Sequence, residues 1–445
     1  MQTTRRDFLG SLVYPTAAAC AFPTLAPAAT KAIAADLASA AGTPEELARD
    51  EDYWAPIVRA FTIDASVINL NNGGVSPSPA VVQEAMRRHL EFSNSMPPPV
   101  SLWQILEPQK EGVRDRLARE WGVDAEEIAI TRNASESLEI CQLGFDLERG
   151  DEVLACTQDY PRMLTAFRQR ARRDGVVLKL LKLPTPAEDP AEVVRIYREN
   201  ITDKTRLILV SHMINLTGQI LPVREIVALG RRGAGRGPIP VIVDGAHSFA
   251  HFAFKLPDLD CDYFGSSLHK WLFAPHGTGL LYVRRSKIAQ LWPLFAAEEK
   301  QTEDIRKFEE IGTHPAANFV AIGEALTFNQ TIGFARKEAR LRLLRDYWAK
   351  RLMAHPSGRV RLHTSLKPAF SCGIANVQVE GIKSVALSEW LWERKRILTT
   401  AIEHEEFEGL RITPSVYTTM EQLDRFCACV EQAIERGIPK TEAGA

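Results

Sequence analysis

Residues 241–251 read VIVDGAHSFAH, and residues 262–285 read DYFGSSLHKWLFAPHGTGLLYVRR. An apolar, β-branched run that ends on a bare carboxylate, Asp244, invites explanation, because Asp and Lys are ordinarily solvated surface residues. Asp244 and Lys270 are either two unrelated loop charges or two parts of one site. The surrounding sequence bears on that choice. From about residue 127, short apolar runs (EIAIT, DEVLACT, VVLKLLKL, RLILVSH, PVIVDGA, DYFGSS, GLLYVRR) follow one another, the early ones separated by longer amphipathic stretches such as PRMLTAFRQRARRDG. Continuous apolar strands alternating with helical segments predict an α/β fold, with a mostly parallel seven-stranded sheet flanked by helices. Ligands of such sheets bind beyond the carboxyl ends of the strands, where Asp244 stands.

After about residue 315 the pattern changes to a long basic helix, FARKEARLRLLRDYWAKRLMA, then AFSCGIANVQV, RILTTAI, GLRITPS and a closing helix. That order predicts a smaller C-terminal α+β domain. The expected division is a lead and helical segment over 29–64, a large domain over 65–315 and a small domain over 316–445. The charges of FARKEARLRLLRD have ion-pair spacing and are expected on a solvated helix face.

The first 28 residues carry Arg5 and Arg6, then Phe8 and Leu9, then a weakly apolar run ending in small residues around Ala26 and Ala28. This resembles a twin-arginine export signal with a cleavage site, implying a periplasmic or exported protein. Pro15 and Pro23 make the run a poor membrane span, and Cys20 is a weak lipid-attachment candidate. In the whole chain of 445 residues, a net charge of −2 leaves no electrostatic footprint for nucleic acid or anionic membrane. Small molecules and protein partners remain. The 7 cysteines lack the paired spacing of a zinc site and are expected mostly as small buried hydrophobes.

The residues after each strand form a coherent set. Asn133 and Glu136 have the spacing of a capping box, and a helix start at a strand's carboxyl end is also an anion site. Tyr160 follows DEVLACTQ, Asn215 follows RLILVSH, Asp244 and His247 follow PVIV, and Lys270 follows DYFGSSL. A lysine whose pKa is lowered by burial is a nucleophile toward carbonyls and forms Schiff bases. Pyridoxal phosphate needs such a lysine, a buried carboxylate to keep its pyridine nitrogen protonated, a phosphate cup with hydroxyls such as that of Ser267, and a partner for its ring face.

From about residue 65 to 435 the chain resembles a fold-type I pyridoxal-phosphate enzyme of the aminotransferase class V family, nearest in motif to its isopenicillin N epimerase branch. TRNASESLE, DYP, SHMINLTGQILPV, VDGAHSFAH, SSLHKW, GTGLLYV, IGTHPA and LRITPSVYTTMEQLD carry the resemblance by their order and spacing. It implies that Lys270 is the Schiff-base lysine, that Asp244 pairs with the pyridine nitrogen and that His247 and Asn215 lie near the ring hydroxyl. Tyr160 would stack on the ring where relatives often use histidine. Ala134, Ser135, Ser267 and His269 would surround the phosphate, and Thr313 would reach the neighbouring subunit's phosphate in a homodimer. Arg411 would grip a substrate carboxylate.

The reaction stays open. One fold hosts epimerases, C–S lyases and transaminases and cannot choose among them; epimerisation at the α-carbon of an amino-acid substrate ranks slightly above the others because the motifs lean toward it. A cysteine desulfurase would need a nucleophilic cysteine in RKRILTTAIEHEEFEGLRIT, which has none, and Cys372 lies earlier in a strand-like stretch where a buried thiol is inert. A binding protein that has lost catalysis would be expected to have lost Asp244, Lys270 or Arg411. A zinc hydrolase built on His247 and His251 lacks the helix and the adjacent Glu of that motif, so no metal is expected and His251 is expected to be structural. Gly233, Gly235 and Gly237 precede a strand, whereas a dinucleotide loop follows one.

Overall fold

All seven apolar runs join one sheet in the computed structural model, which describes residues 40–235 and 237–438. After a two-residue strand β1 (Ile68–Asn69), the chain forms β2 (Ile128–Thr131), β3 (Glu152–Cys156), β4 (Val177–Leu181) and β5 (Thr205–Ser211). It continues through β6 (Val241–Asp244), β7 (Tyr263–Ser267) and β8 (Gly279–Val283). The order across the sheet is β2-β8-β7-β6-β5-β3-β4, with β8 alone running antiparallel to its neighbours. Strands β6, β7 and β8 are buried along their whole length, so both faces are covered and an alternating pattern has no use there. Edge strand β4 carries Lys179 and leaves Val177 and Leu180 exposed, a charged edge of the kind that discourages further pairing.

Register sets the ends of the central strands side by side. Ser211 lies opposite Asp244, Asp244 opposite Gly265, and Gly279 opposite both Ser267 and Thr131. The helix Ala134–Gly144 starts against this rim. Gly279 permits that approach, since a Cβ there would lie 2.6 Å from the Cα and N of Asn133 and from Thr131 Oγ1.

The C-terminal part has an antiparallel sheet of β9 (Val360–Leu362), β10 (Ala375–Val379), β12 (Thr400–Glu403) and β13 (Glu408–Ile412), in the order β12-β13-β10-β9. Leu344, Trp348, Val377, Leu391, Leu410, Phe426 and Val430 close a core between this sheet and the helices Phe334–Met353, Ser384–Lys395 and Met420–Arg436. The N-terminal chain is tied to this part, because β1 pairs in parallel with β11 (Ile397–Leu398). Helices Ala316–Val320 and Ile322–Ile332 pack on the helix Ala80–Ser95.

The expectation of a solvated face on FARKEARLRLLRD is corrected. Lys337, Arg340 and Arg345 are buried. Lys337 Nζ donates to the Trp271 carbonyl and to Asn329 Oδ1, Arg340 pairs with Glu51 at 2.6 Å, and Arg345 bonds Ser371 and the Leu366 carbonyl. Spacing along a helix shows which charges share a face, but not that distant segments will close over it. No described helix is long and apolar enough to cross a membrane. The twin-arginine-like segment, with Arg5, Arg6 and Cys20, lies outside the described residues.

Candidate active site

The rim of the large sheet gathers the residues that follow its strands. Asp244 ends β6 and is buried, accepting one hydrogen bond from the Ala246 N–H at 2.9 Å. Burial pushes its carboxyl up, while the Ala246 N–H and the Lys270 cation pull it down. His247 is buried, and its Nε2 lies 3.1 Å from Lys270 Nζ. Burial, then the charges of Lys270 and Arg411, hold its imidazole well below the usual histidine range. Where Nε2 accepts from the Lys270 ammonium, the neutral ring carries its proton on Nδ1, and that atom is buried without a partner.

Lys270 follows β7 in a half-buried position. Burial draws its ammonium down to about 8, opposed by Asp244 and helped by Arg411. About a tenth is therefore the free amine at pH 7, far more than for an ordinary lysine, and that is the nucleophilic form. His251 is structural: its Nδ1 donates to the His247 carbonyl, its Nε2 accepts from the Gly373 N–H, and its ring stacks on Trp271 at 3.6 Å.

The phosphate-type cup forms where the helix Ala134–Gly144 begins. Asn133 caps that helix by accepting from the Glu136 N–H. Glu136 does not return the bond to Asn133 but binds the Arg132 N–H and guanidinium, so only half of the expected capping box forms. The Ala134 N–H donates to Ser267 Oγ at 2.9 Å, which leaves the Ser267 proton free to donate outward. Ser135 is half-buried beside it, and His269 donates from Nδ1 to the Thr278 carbonyl at 2.9 Å. Burial lowers the His269 imidazole to about 4, so its Nε2 is an acceptor at neutral pH.

Tyr160 stands exposed at the start of the helix Pro161–Asp174. Just before it, Asp159 is buried and accepts from Ser211 Oγ and the Cys156 N–H, both at 2.7 Å. Arg411, on β13, is buried and donates to Asn71 Oδ1 at 2.8 Å and to the Asn215 main-chain carbonyl at 3.2 Å. Asn215 is thus brought to the site by its backbone. Thr313 is exposed on the loop before the helix Ala316–Val320.

Sequence reasoning missed Asn71 and Asp159. Asn71 had a faint signal in NLNNGG, an irregular polar run that needs partners if buried. Asp159 adjoins Tyr160 in DYP, but nothing local marks it as facing Ser211.

Residues 68–426 match the family model described as Aminotransferase class-V. The chain belongs to the class-V aminotransferase family. It is 30% identical over 402 residues to the isopenicillin N epimerase of Streptomyces clavuligerus, a match covering 85% of this chain and 98% of that one. It is 22% identical over 389 residues to the hercynylcysteine sulfoxide lyase of Schizosaccharomyces pombe, covering 83% and 95%. Among solved structures it resembles the cystine C-S lyase C-DES in complex with cysteine persulfide, with a TM-score of 0.74 and 24% identity over 82% of this chain and 98% of that one. The cysteine desulfurase CsdA of Escherichia coli gives a TM-score of 0.73 and 22% identity, covering 86% and 98%. These structural likenesses establish the fold.

This class-V chain is a pyridoxal-phosphate enzyme, and its residues fit that cofactor. Asp244 is a buried acid whose carboxylate accepts one hydrogen bond, from the Ala246 N–H, His247 Nδ1 lacks a partner, and the Ser267 hydroxyl, which accepts from the Ala134 N–H, sits at the start of a capped helix beside Ser135. These would be met by a pyridinium nitrogen, a ring oxygen and a phosphate respectively.

Proposed function

We propose that this class-V enzyme moves protons at the α-carbon of an amino-acid substrate, with epimerisation as the reaction. The observation that carries it is Lys270 Nζ, held 3.1 Å from the neutral His247 Nε2, with the buried Arg411 cation brought from β13 close enough for its charge to act on both. When bound, pyridoxal phosphate supplies the electron sink that makes an α-proton acidic. The helix start at Ala134 and Ser135, with Ser267, would hold its phosphate. Asp244 would keep its ring nitrogen protonated, and Tyr160 would lie against its face. Lys270, with a pKa of about 8, is matched to carrying a proton to and from the α-carbon near neutral pH. Arg411 would fix the substrate carboxylate, its planar fork suited to that anion.

The similarity to isopenicillin N epimerase along 98% of that protein supports epimerisation. A persulfide relay is disfavoured, since Cys141, Cys156, Cys261, Cys372, Cys427 and Cys429 are all buried and none lies on the β12–β13 hairpin. Burial pushes the Cys372 thiol up to about 12. Elimination without such a relay is the second reading, favoured by the likeness to the hercynylcysteine sulfoxide lyase. We further propose a homodimer, with Thr313 presented to the partner's phosphate cup, and export through the N-terminal segment.

Absorption spectroscopy tests the core of this reading. The purified protein is expected to be yellow, to be bleached by borohydride, and to lose the borohydride-fixed cofactor in Lys270→Ala. An amino-acid panel in deuterated water then separates the reactions: epimerisation gives deuterated amino acid of both hands, elimination and transamination give oxo acids. A protein that stays colourless with added pyridoxal phosphate would sink the proposal.

A further inference from the structure

Five arginines are buried among the described residues: Arg114, Arg170, Arg340, Arg345 and Arg411. Four of them meet a carboxylate. Arg114 pairs with Glu309, Arg170 with Asp174 and Arg340 with Glu51, each at 2.6 Å, and Arg345 with Asp346 at 2.5 Å. Arg411 is the exception among the described residues, because both of its hydrogen bonds go to neutral carbonyl oxygens, Asn71 Oδ1 and the Asn215 main chain. Its Nε is buried with no partner. A buried cation without an anion carries an uncompensated desolvation cost. Something in this site keeps it uncompensated.

Asn71 is that element. A guanidinium only donates hydrogen bonds, so the Asn71 atom facing it is the amide oxygen. An aspartate in the same place would accept the same bond and would also neutralise Arg411. The position is not left to chance. Asn71 bridges Thr413 in parallel, the Thr413 N–H donates to the Leu70 carbonyl at 2.8 Å, and the Gly73 N–H donates to Thr413 Oγ1 at 3.0 Å. Asn69 Oδ1 accepts from the Asn71 N–H at 2.9 Å, while buried Asn72 ties Asn69 to Thr413 and Tyr417. The segment 69–74 is therefore knitted to the stretch that follows Arg411, and it delivers one neutral acceptor to the guanidinium.

We propose that Asn71 is a specificity-determining residue for the anionic head of the ligand: it orients Arg411 without discharging it, so the site selects a carboxylate-bearing amine over the same amine lacking the carboxylate. This deepens the assignment of Arg411 as carboxylate receptor and rests on it.

Two small cofactor reagents read the selectivity without knowledge of the natural substrate. Aminooxyacetate carries a carboxylate and methoxyamine does not, and both discharge the colour of bound pyridoxal phosphate. In the loaded full-length protein, aminooxyacetate is expected to react much faster than methoxyamine at equal low concentration. Asn71→Asp is expected to cut that ratio by at least about tenfold, the lower end of what a close charge pair contributes, with the methoxyamine rate and the initial absorbance kept. Asn71→Ser removes the amide acceptor but adds no charge, so it is expected to lower the ratio only through lost orientation of Arg411, by a few-fold and clearly less than Asn71→Asp. Equal losses in the two variants, or an unchanged ratio in Asn71→Asp while Arg411→Ala abolishes it, would overturn the proposal. An unchanged ratio in Arg411→Ala would instead remove the carboxylate-receptor assignment beneath it.

Discussion

A single buried carboxylate, Asp244, illustrates how this site spends stability on chemistry. Burial pushes its carboxyl up, and its one direct hydrogen bond comes from the Ala246 N–H. Such a group waits for a cation, and the pyridine nitrogen of the cofactor would supply one. Asp244→Asn keeps the size and the bond from Ala246 while deleting the charge, so cofactor is expected to bind while turnover falls. A loss of about 10²–10⁴ in kcat is expected, the range for a group that sets a protonation state in the transition state. Steady-state kinetics on the colour-matched variant measures it, and a loss under about threefold would reassign Asp244 to a structural part. His247 and Lys270 follow the same logic from the other sign, since burial lowers both.

At the scale of elements, the decisive junction is the helix Ala134–Gly144 against the start of β8. Gly279→Ala would put a methyl 2.6 Å from backbone atoms of Asn133, which cannot swing away as a side-chain tip would. The variant is expected to lose about 1–3 kcal/mol of stability, as overpacked sites do, and to bind cofactor more weakly than it unfolds more easily. Denaturant melts beside a cofactor titration separate the two effects, and a normal cofactor affinity would mean that the cup does not depend on this junction. The strands were legible in the sequence because strands buried on both faces are continuously apolar, and the residues just past them followed from the geometry of parallel sheets. Lys270, Asp244, His247 and Tyr160 could be singled out for that reason. Asn71 could not, since it lies 340 positions from Arg411 and no local pattern announces the meeting. The same blindness misjudged Lys337, Arg340 and Arg345, whose partners Trp271, Glu51 and Ser371 arrive from remote segments.

For the molecule as a whole, these buried groups shape stability against pH. Burial, with Asp244 nearby, raises Asp159 from 3.8 to about 7, and burial lowers Lys270 from 10.5 to about 8. Between about pH 4 and 7 the folded chain keeps a proton on Asp159 that the unfolded chain has released, so this contribution to stability is full in acid and falls as pH rises. Between about pH 8 and 10.5 the unfolded chain holds a proton on Lys270 that the folded chain lacks, so stability from this group grows with pH and is lost as pH falls through 8. The cofactor-free protein therefore has a trough from these two residues near pH 7–8, where the enzyme would meet its cofactor. Thermal melts across pH 4–10 test this by difference: Asp159→Asn is expected to flatten the acid-side decline, and Lys270→Ala to flatten the alkaline-side rise. Loading with pyridoxal phosphate is expected to remove the Lys270 limb, since that amine is then engaged, and to lift the whole curve by mass action, by about 4 kcal/mol at a thousandfold excess over Kd. Identical slopes for the cofactor-free wild type and Asp159→Asn between pH 4 and 7 would show that Asp159 is already ionised in the folded chain. The negative charge of Asp159 would then be permanent and would add to that of Asp244.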